Sequence, residues 1–218
     1  MSESSVKKFE NNRWGSGDQT PGFRHAEAHT MIEDAKSVLD VGCGDGLFLS
    51  SLQTKGIKVA GIDISEEGVK KCQEKGIDAR VHDIALEKLP YPDASFDTVV
   101  MLDILEHVYA PEVLLEEAIR VSKNHVILGV PNFSSLPARL QVLRGKVPEN
   151  NLPHKGHIYW FNYPVLMKLL KSHDLKVEKM SYNTIWEKKP IIGGIMKKLC
   201  VIFPNLFALS FVVKVTIK

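Results

Sequence analysis

In the stretch VLDVGCGDG, Asp40 is followed by Gly42, Gly44 and Gly46, three alternating glycines directly after an apolar run. Such glycines remove side chains where something must lie close to the backbone, and they permit the positive φ of a tight turn. The chemistry this suits is binding: a nucleotide-like ligand crossing the turn, with main-chain N–H groups brought near it. Tight packing of a strand against a helix is the structural alternative. Asp63 closes the next apolar run, where a carboxylate can accept hydrogen bonds from both hydroxyls of a ribose; capping the following helix is its other use. Asp83, in VHDI, could accept from an exocyclic adenine amine or stand solvated at a strand end. Together the three places outline one adenosine-shaped site.

Groups able to move a proton lie further on. His107 follows Glu106 just past another apolar run, where an imidazole suits a base acting on a hydroxyl or amine. A half-buried ring bonded to backbone is the plainer alternative. PHKGHIYWF brings His154 and His157 beside Tyr159 and Trp160. The H-x-x-H spacing can suggest a metal, but no carboxylate or cysteine lies near it in sequence, so the reading is packing and polar lining of an acceptor pocket, with no metal. Arg139 and Arg144 could grip an anionic substrate or belong to an ordinary solvated face.

Composition narrows the partners. A chain of 218 residues, 44% hydrophobic, can bury one sizeable core and is expected to be a single domain, 1–218, with an appendage. Lys plus Arg number 28 against 26 Asp plus Glu, so a net charge of +2 gives no field for nucleic acid and a small molecule fits better. Cys43, Cys72 and Cys200 lack C-x-x-C spacing, which argues against a disulfide framework and for a reducing compartment. The N-terminus has no apolar core of the kind a signal peptide needs, so a cytoplasmic location is expected. The apolar tract near the C-terminus is interrupted by Lys197, Lys198, Pro204 and Asn205 before about 18 apolar residues accumulate. It reads as core helix, turn and strand without a membrane span, a membrane-surface helix being the alternative.

The elements that must position these residues alternate. Residues 1–24 are polar, with Trp14 and Phe23 as isolated apolar anchors, and are expected to form a lid segment ordered against the body or a ligand. Helical spacing covers 24–36, and strands are expected at 37–42, 57–62, 77–83, 96–103 and 125–131. Between them stand a helix after the glycines, one over 65–75 capped by Ser65 and ended by Gly76, with Gly68 awkwardly inside, and one over 110–122. This alternation implies right-handed β-α-β units and an α/β fold with a mostly parallel sheet. Residues 133–160, with three prolines, read as an insertion over the substrate side; a helix, a strand, a helical segment at 185–209 and a closing strand follow.

The ordered set VLDVGCGDG, GIDIS, VHDI, FDTVVMLDILEHV and VILGVPN resembles the class I S-adenosylmethionine-dependent methyltransferases over about residues 24–182. Within that superfamily, GVPNFSSLPARLQVLRGKVPENNLPHKGHIYWFN is most similar to the MetW-like proteins associated with methionine biosynthesis. The resemblance implies a Rossmann-like seven-stranded sheet of order 3-2-1-4-5-7-6 with strand 7 antiparallel. It implies S-adenosylmethionine as cofactor and S-adenosylhomocysteine as product. Gly42, Gly44 and Gly46, with Cys43 between them, would meet the methionine portion and ribose, and Asp40 would hold the amino group. Asp63 would bind the ribose hydroxyls, Ile64 would pack on adenine, and Asp83 and Ile84 would frame the adenine edge. Leu102 and Asp103 would line the pocket near the methionine arm.

A sulfonium methyl is already electrophilic, so the protein's task would be to align a nucleophile and exclude water, with His107 as an optional catalytic base. His154, His157, Tyr159 and Arg139 are the candidate substrate residues. The expected activity is methyl transfer to a small-molecule acceptor at oxygen, nitrogen or carbon. The alternative is a MetW-like cofactor-binding partner or regulatory protein of methionine biosynthesis with little or no turnover. A homodimer and a methionine-pathway partner are both open as assemblies. A nicotinamide dehydrogenase is disfavoured, because Asp40 would repel a pyrophosphate and the glycine spacing is not G-x-G-x-x-G.

Overall fold

A computed structural model describes residues 5–15, 22–32, 34–185 and 189–217. The other residues of the expected 1–24 and 185–209 segments lie outside these described residues. The apolar run at 37–41 forms strand β1 (Ser37–Val41), flanked in parallel by β2 (Lys58–Asp63) and β4 (Phe96–Leu102). Side chains alternate between the two faces, as a strand requires. Leu39, Val41, Val99 and Met101 join one core cluster, and Val38, Val100 and Ile127 join the other. A sheet buried on both faces needs helices on both, which is why its strands read as almost unbroken apolar runs.

The full sheet has the order β3-β2-β1-β4-β5-β7-β6, with β3 at Asp78–Val81, β5 at Ser122–Pro131, β6 at Lys176–Thr184 and β7 at Ala208–Thr216. Strand β7 runs antiparallel to both β5 and β6, and the remaining pairings are parallel. The expected order and the single reversed strand are thus what the chain forms. Helices α1 (Ser5–Gly15) and α2 (Phe23–Met31) precede the sheet; α3 (Leu47–Gln53), α4 (Glu66–Glu74) and α5 (Pro111–Val121) connect its first strands. Helix α2 stops short of the expected residue 36, because Ile32 leaves the helical region at ψ 74 and Asp34 adopts φ 43.

Strand β5 ends at Pro131, and Asn132 beyond it is completely buried. Its amide donates to the carbonyls of Asn205 (3.2 Å) and Ala208 (2.7 Å), while its carbonyl accepts the Ser134 N–H (3.0 Å). One side chain therefore ties the end of β5 to the start of β7 and to the following insertion. The insertion is more helical than its prolines suggest: α6 spans Leu136–Leu143, with Pro137 in its first turn where a missing N–H costs nothing. Helices α7 (Tyr163–Ser172), α8 (Pro190–Ile202) and the short α9 (Pro204–Phe207) complete the chain. Among the described residues no helix is long and apolar enough to cross a membrane.

Candidate active site

The glycine turn is held by its own backbone. The Gly42 and Cys43 N–H groups both donate to the Ile62 carbonyl (2.8 and 3.0 Å), and Gly46 N–H donates to Cys43 (3.0 Å). Gly44 N–H donates to Asp63 Oδ2 (2.8 Å), whose Oδ1 accepts Ser65 N–H (2.8 Å). These N–H groups are spent on the turn's shape, so its glycines are needed for conformation and close approach rather than to present donors outward. Gly42, Gly44 and Gly46 all have positive φ, at 82, 53 and 75 degrees. A Cβ at Gly68 would sit 2.8 Å from the Gly44 carbonyl oxygen, which explains a glycine inside α4: helix and turn touch backbone to backbone. Ser65 caps that helix, its hydroxyl accepting Gly68 N–H at 3.1 Å.

Asp40 is buried on β1 beside this turn. Burial, with the nearby Asp63 charge adding to it, pushes its carboxyl up to about 8. The Cys43 thiol lies 3.8 Å from that of Cys72 within the core. Asp83 follows β3 and its Oδ1 accepts Ala85 N–H (3.0 Å), while Ile84 is half-buried against the core. Ile64 is likewise half-buried after β2. Above the turn lies α1: Ser65 Oγ donates to Asn11 Oδ1 (2.8 Å), and the Trp14 indole occupies the space in which a Cβ on Gly44 would stand.

The ends of β4 and β5 open onto a cavity of about 700 Å³ whose walls include Arg24, Asp103, His107, His154 and His157. Leu102 is buried at the end of β4; Asp103, next to it, takes φ 57. Arg24 holds Asp103 Oδ2 with both Nε and a terminal nitrogen at 2.6 Å. Glu106 is completely buried, and neither of its carboxylate oxygens meets a donor. Burial, then the Asp103 charge, holds its carboxyl well above the usual range; a retained proton lets it bond to Asp103. His107 Nδ1 lies 3.1 Å from the Gly156 carbonyl and His157 Nδ1 lies 2.7 Å from that of Asn150. The two rings meet edge to face with centroids 4.8 Å apart. Burial lowers the His157 pKa, with the Asn150 hydrogen bond opposing it.

Of the expected substrate residues, the structure brings His154 and His157 to the cavity and leaves two elsewhere. Tyr159 packs on Phe161 with centroids 4.9 Å apart. Arg139 donates from Nε to the Ser134 carbonyl (2.7 Å) on the outside of α6. The arginine on the cavity wall is Arg24, whose place at the start of α2 carries no sequence mark of proximity to β4. Glu106 is the other residue that spacing alone passes over; a carboxylate inside an apolar run is the available signal.

The family model described as methionine biosynthesis protein MetW matches residues 23–190. A ubiquinone biosynthesis O-methyltransferase of Idiomarina loihiensis is 36% identical over 102 residues, 44% of this chain and 42% of that protein. Its counterpart in Dechloromonas aromatica is 32% identical over 165 residues, covering 70% of this chain and 71% of that protein. With the first curated relatives the chain aligns over about half of their length, between 42% and 60%. Among solved structures, magnesium protoporphyrin IX methyltransferase of Synechocystis with bound SAH superposes with a TM-score of 0.67 at 17% identity, covering 98% of each chain. At that identity the likeness is one of fold.

Proposed function

The chain belongs to the MetW family, and from that premise we propose that it is an S-adenosylmethionine-dependent methyltransferase acting on a small-molecule acceptor. One observation carries the reading: a buried Asp40, a closed glycine turn and Asp63 share one end of the sheet, beside a polar cavity. The residues fit the cofactor. Burial and Asp63 disfavour the Asp40 anion, and a ligand ammonium reverses that penalty whereas a pyrophosphate would add to it.

In this reading Asp40 holds the amino group; Gly42, Cys43, Gly44 and Gly46 face the methionine portion and ribose, and Asp63 takes the ribose hydroxyls. Ile64, Asp83 and Ile84 surround adenine, and Leu102 with Asp103 closes the methionine end. When bound, the cofactor supplies an electrophilic methyl group. The chain's own work is to seat the acceptor in the cavity, exclude water and receive its proton. His107 is the group assigned to that proton, since the Gly156 carbonyl fixes the Nδ1–H tautomer and leaves the lone pair on Nε2. His154 and His157 line the acceptor side.

We read residues 1–218 as one cytoplasmic domain in which 1–24 is a lid, 133–160 covers the substrate side and 185–209 precedes the last strand. The names of the curated relatives make an oxygen acceptor the first class to try. The second reading, a cofactor-binding partner protein with little turnover, is favoured by the exposed Ile191, Ile195, Val201 and Ile202 on α8, a face suited to a homodimer or another chain. Calorimetric titration with S-adenosylmethionine tests the common premise, with binding expected for the native chain. Absence of binding in a folded sample overturns both readings; binding together with methylation of a hydroxyl acceptor selects the first.

A further inference from the structure

We propose that Glu106, His107 and His157 form a binding site for a divalent transition-metal cation of the Zn²⁺ type, set in the wall of the acceptor cavity. One ligand atom from each residue lies within 4.8 Å of the others. Bonds of about 2.0–2.2 Å draw such atoms to separations of roughly 3–4 Å, so shifts on the order of 1 Å complete the site.

Glu106 supplies the reason to look for a cation. It is completely buried and both its oxygens lack a donor, so that as a carboxylate it has no partner and its bond to Asp103 needs a proton whose place a cation can take. Arg24, the guanidinium whose charge acts on it, is committed to Asp103 Oδ2. Glu106 Oε1 and His157 Nε2 stand 3.9 Å apart, too far for a hydrogen bond, yet a span that two bonds of about 2.1 Å to one ion bridge at an obtuse angle.

The imidazoles are already oriented for that role. Main-chain carbonyls of Gly156 and Asn150 face the Nδ1 atoms of His107 and His157, and a carbonyl can only accept, so each Nδ1 carries the proton and each Nε2 the lone pair. Backing a metal-binding imidazole with a hydrogen-bond acceptor on its other nitrogen is the usual second layer of such sites. The segments are also fastened together, since the N–H groups of Ile158 and Tyr159 both donate to the Glu106 carbonyl (2.9 and 3.0 Å). Two imidazoles and one carboxylate select Zn²⁺ or its neighbours over Mg²⁺ or Ca²⁺. The cavity, which His107 and His157 both line, leaves the remaining coordination positions facing an incoming acceptor; the two uses of His107 Nε2 exclude each other, so the base role belongs to the cation-free protein and the ligand role to the cation-bound one.

This inference rests on the proposed function only for the meaning of the cavity; the cation site stands or falls separately. The test is a Co²⁺ titration of the full-length, chelator-treated protein, followed by its visible absorption and by competition with Zn²⁺, with S-adenosylmethionine calorimetry on the same sample. The expected result is one equivalent of Co²⁺ giving an intense d–d band that Zn²⁺ abolishes, and a weakening of about tenfold or more in Glu106→Gln and in His157→Gln. Should Glu106→Gln fail to fold, His157→Gln carries the comparison, its fold checked by circular dichroism. No Co²⁺ band in the folded native protein, or a band that both folded variants retain unchanged, overturns the site. Cofactor binding without the band rejects the cation alone, and the band without cofactor binding rejects the proposed function alone.

Discussion

The two halves of the sheet's ligand-facing end are built in opposite ways. On the side of β1–β3, the turn, Asp63 and Ser65 bond mainly to one another over a short stretch of chain. On the side of β4 and β5, Arg24, the stretch holding Asp103 and Glu106, and His157 come from three distant segments and meet only through tertiary structure. The first half is a local unit whose shape is fixed by its own hydrogen bonds. The second depends on where the insertion sits, and on whatever neutralises a buried carboxyl group. Folds that support many activities vary in this second manner over a shared frame.

The largest test of that contrast is Asp63→Ala. It removes the acceptor of two buried N–H groups and the proposed ribose ligand together, so we expect S-adenosylmethionine affinity to fall about 100-fold and stability to fall by about 2–4 kcal/mol in urea titrations. Undiminished binding would mean the turn is not the cofactor site. Asn132→Ala probes the other half. Losing three hydrogen bonds that tie the end of β5 to the start of β7 and to the insertion should cost about 2–3 kcal/mol while leaving cofactor affinity within about twofold; a large loss of affinity would show the halves to be one unit.

Gly68→Ala sharpens the local side, since its methyl would press on the Gly44 carbonyl; a loss of about 1–3 kcal/mol is expected by thermal or urea unfolding. Asp40→Asn adds a pH signature. The folded protein holds the Asp40 proton to about 8, whereas a fully solvated aspartate loses it near 3.8. Between these values the unfolded state binds fewer protons, so this group lowers stability as pH rises. The variant should remove that decline, gaining up to about 5 kcal/mol near pH 8, and should bind S-adenosylmethionine about tenfold more weakly. For the native protein, affinity should climb from pH 6 toward 8 as the carboxylate forms, and that climb should be absent from the variant's calorimetry. Smallest is Arg139→Ala, expected to move stability by less than about 0.5 kcal/mol and acceptor KM not at all. A raised KM would return this arginine to the acceptor site.

The same contrast explains which parts of the molecule are legible in its sequence. The alternation of strands and helices, the Ser65 cap and the grouping of Gly42, Gly44, Gly46, Asp40 and Asp63 follow from residues close in sequence or from apolar runs of fixed period, while the strand order is what the resemblance to class I methyltransferases implies. The approach of Glu106 to His157 has no such mark, because it is made by a loop returning across the end of β4. Arg24 is hidden for the same reason. Helix α6 is hidden by the prolines of the insertion, of which the one it contains, Pro137, falls in its first turn where a helix tolerates it. Gly68 was visible as an anomaly, and its explanation needed the position of Gly44.

The indole of Trp14 over Gly44 has an optical consequence. A molecule that comes to lie on the turn must share or take the place of that ring, and so must alter its surroundings. Trp160, by contrast, is 62% exposed and already faces water. A change in fluorescence that disappears in Trp14→Phe would therefore report occupancy of the turn directly, turning one residue of the N-terminal helix into a built-in gauge of ligand arrival and departure.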